Sequence, residues 1–278
     1  MSEGPIVAGT DGSPRAELAV EKAGELAQAL GAPVHVVCVL DASVGKRLTA
    51  QQIVAEAGDG LRVRGLAVQT EVPEGAPAPA LVAVADRQRA QMIVVGNKGM
   101  TGLRRLLGSV PSRVSHQAHC NVLIVPTNSP SLAAFAGRSI VVGTDGSSRA
   151  MRAVKEAIRL SRALDGELRI VSSSESLDAA NSALAAAAAE AADQGVNAIT
   201  QASHEVQHPR GPAPPDPADA LLDLAKKNDA AIIVVGSKGM RADERELFGN
   251  IPDKLSHKAA CGVLIVYTAD ASGVTATR

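Results

Sequence analysis

Aromatic residues are almost missing from this chain: its 278 residues include no Trp, one Tyr (Tyr267) and two Phe (Phe135 and Phe248). That argues against a platform that binds single-stranded nucleic acid by stacking bases on rings, and against an aromatic sandwich around a flavin. Cysteine is also scarce. Cys38, Cys120 and Cys261 form no CxxC pair and lie in or beside apolar segments, so they read as reduced, buried small hydrophobes of a cytoplasmic protein. No apolar run approaches the ~20 residues of a membrane span. The opening Met1–Pro5 passes into a strand without a basic or apolar leader, which also points to the cytoplasm. Charge of one sign is not concentrated anywhere, and the net charge is −1, so neither nucleic acid nor an anionic membrane is an expected partner. Two common phosphate-binding signatures, GxxxxGK[ST] and GxGxxG, are absent as well.

What the chain does contain is a repeat. Ile6-Val7-Ala8-Gly9-Thr10-Asp11-Gly12-Ser13-Pro14-Arg15-Ala16 returns as Ile140-Val141-Val142-Gly143-Thr144-Asp145-Gly146-Ser147-Ser148-Arg149-Ala150, with nine of eleven positions identical. Ile93 to Met100 returns as Ile233 to Met240, and Ser115 to Val125 as Ser256 to Val266. The offset reads as 134 through Val72/Val206, 140 at Gly96/Gly236 and 141 at Ser115/Ser256. On that alignment most of the insertion falls in the proline-rich Pro209–Pro217, read as a loop that cannot join a ladder or a helix interior. Two domains are expected, 1–128 and 138–278, joined by the Ser/Pro/Ala/Gly stretch from Thr127 to Arg138.

Within each half, short apolar runs alternate with longer amphipathic or Ala-rich stretches. Ile6–Thr10, Val34–Leu40, Leu66–Val72, Met92–Val95 and Val122–Val125 are expected strands. Pro14–Leu30, Leu48–Gly60, Pro79–Arg89 and Val110–Ala118 are expected helices, with Ser182–Ala192 as the Ala-rich counterpart in the second half. Near-continuous Val/Ile strands separated by helices predict an α/β fold: two tandem, doubly wound units, each a five-stranded parallel sheet covered on both faces. Ligands of such units lie at the carboxyl ends of the strands.

Those ends carry a glycine-spaced loop. Gly96-Asn97-Lys98-Gly99 leaves a strand, and Gly108-Ser109-Val110-Pro111 opens a helix, whose unpaired N–H groups and dipole favour an anion. Glycines let phosphate oxygens approach the backbone closely. The alternative is mundane: Ser109 caps a helix before Val110-Pro111, and glycines turn corners. Repetition of the whole strand–loop–helix context, with Asp11 and Asp145 closing the first strands, favours a nucleotide site. Lys98 and Lys238 are either phosphate contacts or solvated loop charges.

The Gly-Thr-Asp-Gly-Ser strand end, together with a loop close to Gly-x2-Gly-x9-Gly-Ser, resembles the universal stress protein family over nearly all of both halves. The resemblance implies an adenine nucleotide α-hydrolase-like fold and an ATP-binding regulatory protein of the stress response. By position it implies a first site of Asp11, Val39, Gly96, Gly99, Gly108, Ser109 and Val110. The second would use Asp145, Gly236, Gly239, Gly249, Asn250 and Ile251. ATP, with Mg as an optional companion, is the implied ligand. The terminal strands Val122–Val125 and Val263–Val266, which need covering as sheet edges, pair between protomers in the family. An internal pseudo-dimer of the two halves follows, and a further homodimer stays open.

The two copies depart from the pattern differently. Gly99 to Gly108 encloses eight residues, whereas Gly239 to Gly249 encloses nine but is followed by Asn250 in place of the hydroxyl residue. Val39 is answered by Ser173, which loses an aliphatic wall for adenine. The first loop carries Arg104 and Arg105 without an acid; the second sets Asp243, Glu244 and Glu246 against Arg241 and Arg245. Each carboxylate near a triphosphate is unfavourable by roughly 1 kcal/mol at surface dielectric. The first site is therefore expected to bind ATP better. Ser115-His116 and Ser256-His257 are adjacent on helices and do not face each other, so no nucleophile–base pair is expected. His119 and Cys120 next to His116 do not read as a shared metal site, because Ala260 replaces His119 in the second copy. His204 and His208 read as solvated. Without an acid, a base and an orienter, a nucleotide sensor is the leading reading. The alternatives are a slow ATP hydrolase or phosphotransfer protein with Asp11 steering Mg or water, a module for cyclic AMP or another adenine nucleotide, and a scaffold with empty sites.

Overall fold

The computed structural model describes residues 4–40, 47–97, 109–127, 133–173, 176–203, 206–208, 211–213, 216–237 and 250–268. The first half runs β1 (Ile6–Gly9), α1 (Pro14–Leu30), β2 (Val34–Val37), α2 (Arg47–Val63), β3 (Val68–Glu71), α3 (Pro77–Gln88), β4 (Met92–Gly96), α4 (Ser109–Gln117) and β5 (Asn121–Val125). The second half gives β6 (Ile140–Gly143), α5 (Ser148–Leu164), β7 (Leu168–Ser173), α6 (Leu177–Asp193) and β8 (Ala198–Ser203). It continues through β9 (Val206–His208), β10 (Gly211–Ala213), α7 (Pro217–Lys227), β11 (Ile232–Gly236), α8 (Asn250–Lys258) and β12 (Gly262–Val266).

Local chemistry sets these boundaries. Ser13 and Ser147 cap α1 and α5, accepting from the amides of Ala16 and Ala150 at 3.2 and 3.1 Å, and Pro14 supplies a preset φ at the first helical position. α1 stops at Gly31, which takes the left-handed conformation at φ +63°. Asp216 caps α7 through the Ala218 amide at 2.9 Å, directly before Pro217.

The sheet order is β3-β2-β1-β4-β5-β12-β11-β6-β7-β8, so the halves form one ten-stranded sheet. Within this ten-stranded sheet pairing is parallel inside each half and antiparallel at the seam, where Ile124, Leu123 and Val122 stand opposite Val263, Leu264 and Ile265. The two terminal strands thus cover each other's edges, as expected of an internal pseudo-dimer. Each face of the sheet carries one core running through both halves. One is built with α1, α2, α5 and α6, the other with α3, α4, α7 and α8.

Three features differ from the sequence reading. First, the offset does not hold at 134 through Val72/Val206. Val34 pairs with Val68, and Leu168, 134 positions after Val34, pairs with Ala198, so the third strands lie 130 apart. Counted between paired residues, the path from β7 to β8 is four residues shorter than that from β2 to β3, and a later insertion restores and exceeds the loss. Second, Gly211–Ala213 does join a ladder, an antiparallel hairpin with Val206–His208 in which Pro212 stands opposite Gln207. A two-stranded ribbon leaves every other N–H pointing outward, where a proline loses nothing. Third, the described end of the linker, residues 133–138, is docked. Phe135 is fully buried in the α1/α5 core, and its amide donates to Glu25 Oε2 at 2.9 Å.

Candidate functional site

In each half the first strand lies between the second and the fourth. β1 pairs with β2 on one side and β4 on the other, and β6 pairs with β7 and β11 in the same way. Chain connections leave β1 and β4 in opposite directions along the sheet, so their carboxyl ends flank the crevice where ligands of open α/β sheets bind.

The turn after β1 is built the same way in both halves. The Gly12 amide donates to Thr10 Oγ1 at 3.1 Å and the Ser13 amide to Asp11 Oδ1 at 2.9 Å. In the second half Gly146 donates to Thr144 Oγ1 at 3.2 Å and Ser147 to Asp145 Oδ1 at 3.0 Å. Gly12 and Gly146 both sit at φ +76°, a conformation side chains resist. One oxygen of Asp11 and one of Asp145 are therefore committed to orienting the backbone into a helix N-terminus. Sequence reading selected the aspartates and passed over Thr10, Gly12 and Ser13, although all three belong to the repeated stretch.

Gly96 and Gly236 end β4 and β11 at the sheet's carboxyl edge. The residue after each is tethered. Asn97 is buried, and its Oδ1 accepts from the Thr127 amide at 3.0 Å and the Thr127 hydroxyl at 2.8 Å. In the second half the Ser237 hydroxyl lies 2.8 Å from that of Thr268 and accepts from its amide at 3.2 Å. These tethers fix the exit of the loop-bearing strand to the end of its neighbour. Asn97 was visible only as a filler between glycines, yet its alignment with Ser237 was a usable signal.

Gly99, Gly108, Gly239 and Gly249 lie outside the described residues, as do Lys98, Lys238 and the loop charges. Ser109 and Asn250 open α4 and α8 at their first residues, with Val110 and Ile251 half-buried behind them against the α3 and α7 core. Val39 is buried near Val7 and Val37. Its positional counterpart Ser173 extends β7, whereas β2 ends at Val37. Beside it the Ser172 hydroxyl is buried without a hydrogen-bond partner among the described residues.

The Ser-His pairs do not form a catalytic couple. Ser115 Oγ donates to the Ser112 carbonyl at 2.8 Å, and Ser256 Oγ to the Pro252 carbonyl at 2.7 Å. His116 and His257 use Nδ1 on the carbonyls of Ser112 and Asp253, each in the preceding turn. His119 approaches Asp86 at 3.2 Å and meets the edge of Tyr267 across the seam, ring centroids 6.0 Å apart. Among the described residues no helix is long and apolar enough to cross a membrane, and no disulfide joins any of the three cysteines.

Comparison with known proteins fits this architecture. The family model described as the universal stress protein family matches twice, over residues 4–126 and 137–267. A universal stress protein of Methanocaldococcus jannaschii, MJ0531, is 36% identical over 136 residues, covering 43% of this chain and 80% of the relative. A Mycolicibacterium smegmatis universal stress protein is 28% identical over 228 residues, covering 78% of this chain and 74% of its own. A crystal structure of an Archaeoglobus fulgidus universal stress protein superposes with a TM-score of 0.75 over 97% of this chain and 98% of that one, at 19% identity. With both halves matched and the tandem fold shared, this chain belongs to the universal stress protein family.

Proposed function

We propose that this chain is an adenine-nucleotide-binding regulatory protein of the cytoplasm, with its principal ATP site in the first half. The observation that carries the reading is the juxtaposition at the switch point: the Asp11 turn at the end of β1, Gly96 at the end of the adjacent β4, and the N-terminus of α4 at Ser109. In this reading Asp11 and Val39 face the nucleoside, Gly96 and Gly99 follow the ribose, and Gly108, Ser109 and Val110 receive the phosphates through backbone N–H groups. Mg accompanies the phosphates where it is available. Asp145, Gly236, Gly239, Gly249 and Asn250 form the corresponding second site. It is weakened by Ser173 in place of Val39, by the missing hydroxyl at Asn250, and by Asp243, Glu244 and Glu246 in its loop.

The reading is of a sensor rather than an enzyme, because Asp11 is engaged in its turn and the nearby Ser-His pairs are engaged with helix carbonyls. Titration of ATP, cyclic AMP and GTP into purified protein, with ADP release followed in parallel, tests it. Saturable ATP binding without sustained turnover is the expected result. Steady ADP production would favour a hydrolase, tighter cyclic AMP binding would change the ligand, and no binding of any of the three would leave a scaffold.

A further inference from the structure

Among the described residues the ten-stranded sheet ends in β3 on one side and β8 on the other. An outermost strand presents backbone groups that another chain can pair with. The first half guards its edge. Val34 N–H donates to the Ala67 carbonyl and Cys38 N–H to the Glu71 carbonyl, so alternation turns the Val68 and Thr70 carbonyls outward. Arg62 of α2 occupies the Val68 carbonyl at 3.2 Å and is itself held by Asp59 at 2.7 Å. Glu71, at the end of the strand, is paired with Arg87. A strand approaching β3 would have to displace a guanidinium and desolvate these charges.

The second half replaces each of these guards. α2 and α6 are both 17 residues long and, like β3 and β8, lie 130 positions apart. Arg62 is answered by Ala192, and the exposed Glu56 and Asp59 by the exposed Ala186 and Ala189. On the strand, Gln69 and Glu71 give way to Ile199 and Gln201. No charged residue stands between Asp178 and Glu190 of α6, or anywhere in Ala198–Ser203. Ala198 and Ala202 pack on the α5/α6 core, which turns Ile199 to the opposite face of the sheet. There α7 packs on β6 and β7, and Ile199 stays 44% exposed.

We propose that β8 pairs, antiparallel and about a twofold axis, with β8 of a second copy of this chain, so that the sheet continues across two molecules. The seam is already a junction of this kind, where β5 and β12 cover each other's edges antiparallel. Leu168 pairs with Ala198 as Val34 does with Val68, so Ala198, Thr200 and Ala202 present their backbone groups outward. With Thr200 on the axis, those groups meet their own copies, and Ile199 stands opposite Gln201 of the second copy. The helices permit this approach. α6 packs over β7 and β8, so its two copies lie two strand spacings apart, about 10 Å. That is helix-packing distance, and it accommodates alanines but not the Glu56, Asp59 and Arg62 of α2. An uncharged surface does not repel its own copy. Because β3 is guarded it cannot accept β8 in turn, and the assembly closes at two chains instead of growing into a fibre.

Sedimentation velocity of the full chain, from low to high micromolar concentration, tests this. A monomer–dimer equilibrium is expected. Ile199→Lys/Gln201→Lys sets like charges opposite each other across the axis and should weaken it at least about tenfold, with the circular dichroism spectrum unchanged. Ile199→Lys/Gln201→Glu sets opposite charges there and should recover most of the loss. Should the lysine pair not fold, Ala189→Asp/Ala192→Arg, which installs the guard of the first half, should weaken the dimer similarly. The proposal is overturned by a chain that stays monomeric at every concentration. A dimer that the folded variants leave intact, or equal losses from the Lys/Lys and Lys/Glu pairs, would overturn it as well.

Discussion

The Lys22 ammonium lies 5.1 Å from the centroid of the Phe135 ring. Lys22 is fully buried, bonded to Glu25 Oε1 at 2.6 Å and to the Ala133 carbonyl at 3.1 Å. Glu25 completes the clasp by taking the Phe135 amide. The equivalent positions of α5 carry the reverse pair, Glu156 and Arg159, 2.7 Å apart, and Arg159 reaches across the seam to Gln91 Oε1 at 3.1 Å. Charge inversion between the repeats lets one helix hold the linker while the other holds the opposite half.

This clasp predicts that Phe135→Ala costs about 3–5 kcal/mol, the range for emptying a buried aromatic site. Lys22→Ala should cost a similar amount, because it strands the Glu25 carboxylate. Urea unfolding curves measure both. A loss below about 1 kcal/mol for Phe135→Ala would mean that the linker is not anchored by the core.

Asn97 and Thr127 give a second expectation. Asn97→Ala leaves the Thr127 amide without its acceptor, which costs about 1–3 kcal/mol and loosens the exit of β4. ATP affinity should fall with it. Asn97→Ser should recover much of both losses, because Ser237 performs that task in the second half. Equal ATP affinity in wild type and Asn97→Ala would separate the tether from the site.

His35 makes stability depend on pH. It is buried on β2, with Nε2 3.3 Å from Glu71 Oε2. Burial holds its pKa below the ordinary 6.5, an effect Glu71 opposes and Arg87 reinforces. Because the folded pKa is lowered, the unfolded chain takes up the proton first. Its contribution is fully present above the unfolded value and is lost as pH falls through that value toward the folded one. The thermal midpoint should therefore drop between about pH 7.5 and pH 5.5, and His35→Val should flatten that slope. Parallel profiles for the two proteins would contradict the assignment.

The thiols of Cys261, which is buried, and Cys120, which is half-buried, offer a fourth check. Burial pushes Cys120 up to about 12, helped by the nearby Asp86. Burial likewise pushes Cys261 up to about 12, although Arg138 opposes it. Since the thiolate is the reactive form, both should react with a disulfide reagent at pH 8 only after denaturant is added. Rapid labelling of Cys261 in native protein would show that its segment opens, and rapid labelling of Cys120 would contradict a thiol held protonated.

Much of this was legible in the sequence because the determinants are local or repeated. Ser13-Pro14 and Ser147-Ser148 announce helices, and Val/Ile runs such as Ile93–Val95 announce buried parallel strands. The edge character of Val122–Val125 was legible for the same reason, and pairing with Val263–Val266 answers it. What escaped depends on three-dimensional register. The shift from 134 to 130 between the halves is set by which residues of β7 and β8 stand side by side, and composition does not record that. Phe135 falls in the Ser/Pro/Ala/Gly linker, and its burial depends on Lys22 and Glu25, more than a hundred residues earlier. Asn97 and Thr127 are likewise joined only when β4 and β5 are neighbours.

The proposed function requires nucleotide to bind chiefly in the first half, at the crevice between β1 and β4. The most direct measurement is calorimetric titration of ATP into wild type, Gly99→Ala and Gly239→Ala under identical conditions. Tight binding in wild type, weakened about tenfold or more by Gly99→Ala and little changed by Gly239→Ala, is the predicted result. A larger loss from Gly239→Ala, or no effect of either substitution, would contradict it.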